Sequence, residues 1–133
     1  MNKLLRVYLA HPIATKWGGT LTIKDSILLE MGKHLPQVEI LDPLRYNLDD
    51  NVHGPEIVKR NIQDIMDSDA VLADFTHPSS GVAMECLTAK FLGKPVVSFT
   101  LREGVSVWVN HVSTMSAHTI EGLIMALKMT LKA

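Results

Sequence analysis

A chain of 133 residues, 47% of them hydrophobic, is long enough to bury a core, and we expect residues 1–133 to form a single domain. Thirteen basic and fourteen acidic residues give a net charge of −1, which excludes the basic surface typical of proteins that bind nucleic acid. The single Cys86 cannot form an intrachain disulfide, and the start of the chain lacks the apolar length of a signal peptide or membrane span, so we expect a cytoplasmic protein without membrane partners.

The first half of the chain reads as strand, helix, strand, loop and helix. Residues 4–10 (LLRVYLA) are a short apolar run that ends at a His-Pro pair, which is typical of a buried strand. Apolar residues recur at helical spacing over 20–35, and 38–43 (VEILDP) is a second short strand. After a polar loop over 44–54, Pro55 suits the first turn of a helix that runs through EIVKRNIQDIMDS. We expect the inner face of that helix to carry Ile57, Val58, Ile62, Ile65 and Met66.

The second half adds three strands and two helices. Residues 70–75 (AVLADF) are a third buried strand. The stretch HPSSGVAMECLTAKFLGKP then predicts a loop, a nearly all-apolar helix that begins near Ser80, and a Gly-Lys-Pro stop. Residues 95–99 (PVVSF) are a fourth strand and 105–109 (VSVWV) a candidate fifth, and a helix over 116–131 closes the chain.

Strands that alternate with helices predict parallel βαβ units with right-handed crossovers. We therefore expect an α/β fold, a three-layer sandwich built on a doubly wound parallel sheet of about five strands. Such sheets place their binding sites beyond the carboxyl ends of the strands, near a switch in strand order. The loops concerned here are 10–19, 42–54 and 75–81.

Glu85 requires an explanation, because it lies within the apolar helix. An acid about one turn into a helix is stabilised by the macrodipole, which would be a purely structural role. Its sequence neighbours, however, are apolar on nearly all sides, and we expect such a helix to be largely buried. A carboxyl in that setting either accepts hydrogen bonds from nearby donors or borders a cavity. Glu85 is accordingly a candidate functional acid.

The loop before this helix offers groups that can hold a ligand. The hydroxyls and backbone N–H groups of Ser79, Ser80 and Gly81 can bind an anion or sugar hydroxyls, although either serine also suits a plain N-cap. The chain contains no G-x-G-x-x-G or Walker-type sequence. Its six histidines are scattered without metal-ligand spacing, as is typical of surface or loop histidines. We expect no metal and no other cofactor.

Three more residues lie near the ends of predicted strands. Tyr8, at the end of the first strand and beside AHPIAT, either presents its hydroxyl to the site or completes the core. Asp69 and Asp74 bracket the third strand; we expect Asp69 to end the preceding helix and Asp74 to face the site. Cys86 has no basic neighbour in sequence, so we expect an unreactive, packed thiol.

Three segments, VYLAHPI, IVKRNIQDIMDSDAVLADF and PSSGVAMECLTAKFLGKPVV, resemble the nucleoside 2-deoxyribosyltransferase family, which includes the deoxynucleoside 5′-monophosphate N-hydrolases. The resemblance covers most of residues 5–100 in order, whereas 101–133 match only loosely. It implies a flavodoxin-like fold and an enzyme that attacks the anomeric carbon of a nucleoside or nucleotide with a glutamate.

Position by position, the resemblance implies that Glu85 is the nucleophile, that Tyr8 contacts it, and that Ser79 contacts the sugar or phosphate. The family's acid on the helix before the third strand falls on Asn61, which can hydrogen-bond a base but cannot donate a proton as an acid. Asp64, one turn along, is a candidate substitute. The remaining substrate-binding positions that we assign are Ser80, Gly81, Ala10, Pro12, Ile13 and Asp74.

The resemblance leaves the substrate open. Ser79 is the residue type of the nucleotide hydrolases, where the transferases carry aspartate. In contrast, the arginine with which those hydrolases grip the 5′-phosphate falls on Ala14, with only Lys16 nearby. Family members are also oligomers whose subunits complete each other's sites, which implies a homo-oligomer here. Residues 108–115 (WVNHVSTM) are the candidate segment, and we assign its Asn110 and His111 to the substrate site.

Three functions therefore stay open. The first is a transferase-like enzyme that passes the sugar, through a covalent glycosyl-Glu85 intermediate, to another base or to water. The second is a (deoxy)nucleoside 5′-monophosphate N-glycosidase. The third, from another class, is a non-catalytic nucleotide-binding or sensing domain, with Asn61 as the mark of lost activity. A purely structural role for Glu85 as a buried, hydrogen-bonded acid is the remaining alternative.

Overall fold

The computed structural model describes residues 4–12, 21–46, 50–77, 79–102 and 106–133. Over these residues the strands form one sheet in the order β2-β1-β3-β4-β5, in which every neighbouring pair is parallel. This order confirms the predicted doubly wound, flavodoxin-like sheet. The strands are β1 (Leu5–Ala10), β2 (Val38–Leu41), β3 (Ala70–Asp74), β4 (Val96–Phe99) and β5 (Met115–Ala117).

Helices cover both faces of the sheet, as predicted. One face packs against α1 and α5, and the other against α2, α3 and α4. Side chains of β1 alternate between the two layers, so Val7 and Leu9 enter the first core and Tyr8 and Ala10 the second. None of the described helices is long and apolar enough to cross a membrane. The helices are α1 (Leu21–His34), α2 (Asp50–Asp67), α3 (Ser80–Phe91), α4 (Val107–Val112) and α5 (Ile120–Leu131).

The prediction of a strand over 105–109 is wrong. Ser106 caps a short helix instead, because its Oγ accepts a hydrogen bond from the Val109 N–H at 3.3 Å. Residues 103–105 lie outside the described part of the chain. The edge strand is β5, which overlaps the start of the closing helix predicted over 116–131. It pairs with β4, and a hydroxyl contact of 3.0 Å joins Ser98 to Ser116.

The predicted inner face of α2 is correct for Ile65, which is fully buried, and for Ile57, which is partly buried, but it is wrong for the other three residues. Val58, Ile62 and Met66 are 58%, 39% and 48% exposed, and they form one stripe at four-residue spacing on the outer side. The buried side carries Asp64 and Ile65. The predicted loop over 44–54 is likewise partly helical: it overlaps a 3-10 turn at Pro43–Tyr46 and the start of α2. The helical geometry of α2 breaks at His53, two residues before Pro55.

Helix α3 begins where the sequence predicts, but it is not largely buried. Its inner side carries Val82, Cys86 and Ala89, while Met84, Leu87 and Phe91 are exposed. The helix ends in a Schellman turn, in which Gly93 has a φ of 73° and the Lys94 N–H donates to the Ala89 carbonyl at 2.9 Å. Glycine suits this turn because residues with a Cβ rarely adopt a positive φ.

Asp69 does not end α2, which stops at Asp67. Its Oδ2 accepts a hydrogen bond from the Arg6 N–H at 2.9 Å, and its own N–H donates to the Arg6 carbonyl at 2.8 Å. Asp69 therefore joins the start of β3 to β1. This link helps to align the two central strands whose carboxyl ends border the candidate site.

Candidate active site

The candidate site lies where the strand order reverses. From β1 the chain continues to β2 on one side, whereas β3 lies on the other side, so the loops after β1 and β3 diverge. In sheets of this order, ligands bind in the crevice at that switch point. Tyr8 is on β1, and Glu85 is on the helix that follows β3, so the two residues approach the crevice from its two sides.

The structure brings Tyr8 and Glu85 into direct contact. The Tyr8 hydroxyl donates a hydrogen bond to Glu85 Oε2. Tyr8 is fully buried within the core layer between the sheet and α2–α4, so its hydroxyl is held in place by packing. Both possibilities raised for Tyr8 are therefore met, since the ring completes the core and the hydroxyl reaches the carboxyl.

The environment of Glu85 favours its neutral form. Burial raises the pKa of Glu85 from 4.5 to about 7, and the hydrogen bond from Tyr8 and the attraction of His11 oppose that rise only in part. A carboxyl with a pKa near 7 interconverts between its acid and carboxylate forms close to neutral pH, which suits a group that must act in both. A pKa perturbed in this way at a crevice is typical of functional sites.

The neighbouring Cys86 is unreactive, as predicted. It is fully buried, and burial, with a smaller contribution from the Glu85 charge, raises the pKa of its thiol to about 12. The thiol therefore stays protonated at neutral pH, and it packs as an apolar group.

The turn before α3 lies at the carboxyl end of β3. Ser79 is the N-cap of the helix, since its Oγ accepts from the Val82 N–H at 3.3 Å. Ser80 and Gly81 are exposed in the first turn. Asp74 is buried, and its Oδ1 accepts from the Thr76 N–H at 2.9 Å, which shapes the same loop. The assignment of these four residues to the substrate stays a prediction.

Asn61 and Asp64 lie on the inner side of α2. Asn61 is partly buried and Asp64 is 5% exposed, and their helix packs against β1 and beside α3. Two polar residues, one turn apart, thus lie on the inner side of α2, whereas the apolar stripe of Val58, Ile62 and Met66 is exposed on its outer side. Ala10 is buried at the end of β1 and Pro12 is partly buried after it.

Asn110 and His111 are exposed on α4. Ile13, Ala14 and Lys16 lie outside the described residues.

A charged cluster beside the site was missed by the sequence interpretation. The side chain of His11 is only 4% exposed, and its Nε2 lies 3.0 Å from Asp42 Oδ1. Lys24 forms an ion pair with the other carboxylate oxygen, Oδ2. Burial alone would raise the pKa of Asp42, but hydrogen bonds from His11, Lys24 and the Leu44 N–H hold it well below its usual range.

His11 does lie in a loop, as the sequence interpretation allowed, but it is not a surface residue, because its side chain is buried. Its sequence signal is positional: His11 and Asp42 each directly follow a strand, and β1 and β2 are neighbours. Across the described ranges, no three His, Cys, Asp or Glu side chains converge as metal ligands.

Comparison with known proteins supports the resemblance to nucleoside-processing enzymes. A protein of Thermofilum pendens named "Putative 2'-deoxynucleoside 5'-phosphate N-hydrolase 1" is 27% identical over 101 residues, which are 74% of this chain and 70% of that protein. No family model matches the chain.

Solved structures share the fold. A conserved protein from Enterococcus faecalis superposes with a TM-score of 0.79 at 15% identity, over 96% of this chain and 99% of that one. A 2-deoxyribosyltransferase from Bacillus psychrosaccharolyticus gives 0.67 at 17% identity, over 87% and 88%. A CMP N-glycosidase from Clostridium botulinum gives 0.60 at 20% identity, over 92% and 98%. The resemblance predicted from the sequence is thus confirmed.

The raised pKa of Glu85 predicts a pH-dependent stability. Because the folded-state pKa of about 7 exceeds the ordinary value of 4.5, stability is lost as the pH rises between them. A Glu85→Gln variant carries no titrating group there. As the pH rises across this range, the unfolding free energy of the variant should therefore increase by about 3 kcal/mol relative to that of the parent, as measured by chemical denaturation. Glu121→Gln, at an exposed glutamate, is the control. Parallel pH profiles for Glu85→Gln and the parent would contradict a buried, perturbed Glu85.

Proposed function

We propose that this chain is an enzyme that cleaves the N-glycosidic bond of nucleosides or nucleoside 5′-monophosphates, with Glu85 as the nucleophile. The contact between the Tyr8 hydroxyl and a partly buried Glu85 at the switch point carries this proposal. The names of the Thermofilum relative and of the structural neighbours from Bacillus and Clostridium describe N-hydrolase, transferase and N-glycosidase activities, and they support the same reaction class.

The reaction proceeds in two displacements. A carboxylate oxygen of Glu85 bonds to the anomeric carbon as the bond to the base breaks, and the base leaves with the electron pair and takes up a proton. In the second step, water or another base attacks the same carbon, and Glu85 leaves as the carboxylate. Two inversions give net retention, and each transition state resembles an oxocarbenium ion. A carboxyl with a pKa of about 7 serves both steps, since it is more nucleophilic than an ordinary carboxylate and still leaves readily.

Tyr8 fixes which oxygen of Glu85 attacks. Because its hydroxyl donates to Oε2, the Oε1 atom remains for the anomeric carbon. The Tyr8 ring is buried and has little freedom to move, so its hydroxyl holds the Glu85 carboxyl group in one orientation. The carboxyl group therefore needs little reorganisation to reach the transition state.

The base and the sugar bind on either side of Glu85. On the side of α2, Asn61 hydrogen-bonds the base edge, and the buried Asp64 supplies the carboxyl that this chain has in place of an acid at position 61. On the other side, the Ser79–Gly81 turn holds the sugar 5′ end or its phosphate. Ala10, which ends β1, and Pro12, which follows it, line the floor between them, and Asp74 orders the opposing loop.

The acceptor in the second step is water or a free base. The name of the Thermofilum relative favours a 2′-deoxynucleoside 5′-phosphate and water, that is, the monophosphate N-glycosidase function. The Bacillus neighbour favours transfer to a second base. The two functions share every residue described above and differ only in what enters after the first base leaves.

A substrate panel tests the function. Deoxyribo- and ribonucleosides and their 5′-monophosphates are each incubated with the parent, with Glu85→Gln and with the exposed-site control Glu121→Gln, and free base is quantified chromatographically. We expect base release by the parent and the control, and a loss of roughly 10³-fold or more in Glu85→Gln, because the amide is not a nucleophile. Addition of a second base distinguishes transfer, which yields an exchanged nucleoside, from hydrolysis.

Undiminished turnover by Glu85→Gln would overturn the assignment of the nucleophile. Tight binding of a substrate by the parent, without base release during long incubation, would instead favour the non-catalytic sensing domain.

We further propose that the chain forms a homo-oligomer through the apolar helix face. This face consists of the exposed apolar side chains of three neighbouring helices on one side of the sheet, which are grouped there rather than scattered singly. Its members are Val58, Ile62, Met66, Met84, Leu87, Phe91, Val107 and Trp108.

A second copy of this chain is the proposed occupant. Helix α3 carries Glu85 and, on its outer side, Met84, Leu87 and Phe91, so a subunit docked there lies next to the crevice. Asn110 and His111 are exposed on α4, which packs beside α3, and in an oligomer they are placed to reach the neighbouring site.

Sedimentation velocity tests the oligomer. We expect a dimer or larger species for the parent, and dissociation in Phe91→Asp, because a charge at a buried contact of an apolar interface is strongly unfavourable. Met129→Asp, at a methionine 66% exposed on α5 at the opposite face of the sheet, is the matched control and should sediment like the parent. A parent that stays monomeric at all concentrations would contradict the proposal.

A further inference from the structure

The loops that follow β3 and β4 are joined to each other by hydrogen bonds. The Phe75 N–H donates to the Phe99 carbonyl at 2.8 Å, and Thr76 Oγ1 accepts from the Leu101 N–H at 3.3 Å. Thr76 is only 5% exposed, so this contact is made inside the protein. The two loops therefore form one unit at the carboxyl edge of the sheet, which is the edge that carries the candidate site.

A turn directly after β4 fixes the backbone of Arg102. The Arg102 N–H donates to Thr100 Oγ1 at 3.0 Å, and the Thr100 carbonyl oxygen lies 3.3 Å from His118 Nδ1 beyond β5. The Thr100 side chain is buried, like that of Thr76. The chain then continues to α4, which packs beside α3 on the face of the sheet that carries Glu85. Arg102 thus lies at the carboxyl edge, where the chain turns toward that face.

Arg102 differs from the other two arginines whose side chains the structure describes. Arg6 forms an ion pair with Glu39, and Arg60 forms one with Glu56. Arg102 is exposed, and its guanidinium pairs with no carboxylate of the described residues. A guanidinium with no internal partner keeps its donors for an anion that enters from solvent.

The turn before α3 requires such a cation if it is to hold a phosphate. The N–H groups of Ser80 and Gly81 lead the helix, where no intrahelical acceptor exists. A helix N-terminus carries the equivalent of about half a positive charge, whereas a phosphate monoester carries about −1.5 to −2 at neutral pH. The helix alone therefore leaves roughly one negative charge or more without compensation. A guanidinium supplies a full positive charge and two parallel hydrogen bonds to phosphate oxygens.

We propose that Arg102 determines substrate specificity: its guanidinium binds the 5′-phosphate at the Ser79–Gly81 turn, so that nucleoside 5′-monophosphates are preferred to nucleosides. The inference rests on the proposed function and decides between the two substrate classes that it leaves open. Thr76, which holds the Leu101 N–H, precedes Ser79 by three residues, a span of at most about 11 Å. The buried hydroxyls of Thr76 and Thr100 thus position the loop of Arg102 beside the phosphate site.

Kinetics with a matched pair of substrates test the inference. The ratio of kcat/KM for a 2′-deoxynucleoside 5′-monophosphate to that for the corresponding nucleoside should favour the monophosphate in the parent. It should fall roughly 10- to 100-fold in Arg102→Gln, because hydrogen bonds between two charged groups are lost. Arg102→Lys, which keeps the charge without the two parallel donors, should restore part of the preference. Arg6→Gln removes an arginine charge at the amino edge of the sheet and should keep the parental ratio.

Binding of a sugar phosphate tests the same site without any chemistry. By isothermal titration calorimetry, 2-deoxyribose 5-phosphate should bind the parent more tightly than 2-deoxyribose, and Arg102→Gln should lose most of that difference. A parent that prefers nucleosides, or a folded Arg102→Gln with an unchanged kinetic ratio or binding difference, would overturn the inference. If the sugar phosphate binds through Arg102 while Glu85→Gln keeps full turnover or no substrate releases its base, the proposed function fails and the phosphate site stands.

Discussion

The hydrogen bond from the Tyr8 hydroxyl to the Glu85 carboxyl is the contact on which the rest of the site depends. It joins the central strand β1 to the helix that follows β3, across the point where the strand order reverses. Parallel pairing of β1 with β3, reinforced by the Asp69–Arg6 link, determines where the two residues meet. A change in the register of either strand would separate them.

Burial of the Glu85 carboxyl has an energetic cost, which the hydrogen bond from Tyr8 offsets only in part. A buried carboxyl with a raised pKa destabilises the fold at neutral pH, and the inward polar residues Asn61 and Asp64 occupy positions that apolar side chains would fill more favourably. The displaced apolar residues of α2 lie outside instead. The orientation of α2 thus places polar side chains beside the crevice and adds Val58, Ile62 and Met66 to the apolar helix face.

Much of the fold follows from the sequence, because short apolar runs between turn signals are strong indicators of buried parallel strands. The first four strands and the parallel direction of the three pairings among them followed from that pattern. The errors arose where apolar residues are exposed: VSVWV and the Val58, Ile62, Met66 stripe have the composition of buried elements, but periodicity cannot tell a core from a surface that another molecule covers. Glu85 was identifiable as an isolated acid among apolar residues. His11 was not, because its significance depends on Asp42, which is 31 positions away and adjacent only in the folded sheet.

The central claim is that Glu85 forms a covalent bond to the sugar. The most direct measurement is peptide mass spectrometry of the enzyme quenched in acid during turnover of a 2′-deoxynucleoside or its 5′-monophosphate. We predict a glycosyl adduct on the peptide that contains Glu85, absent from Glu85→Gln and lost on incubation with a free base or water. Rapid release of base by the parent, with the adduct on another residue or with inversion at the anomeric carbon, would contradict the account.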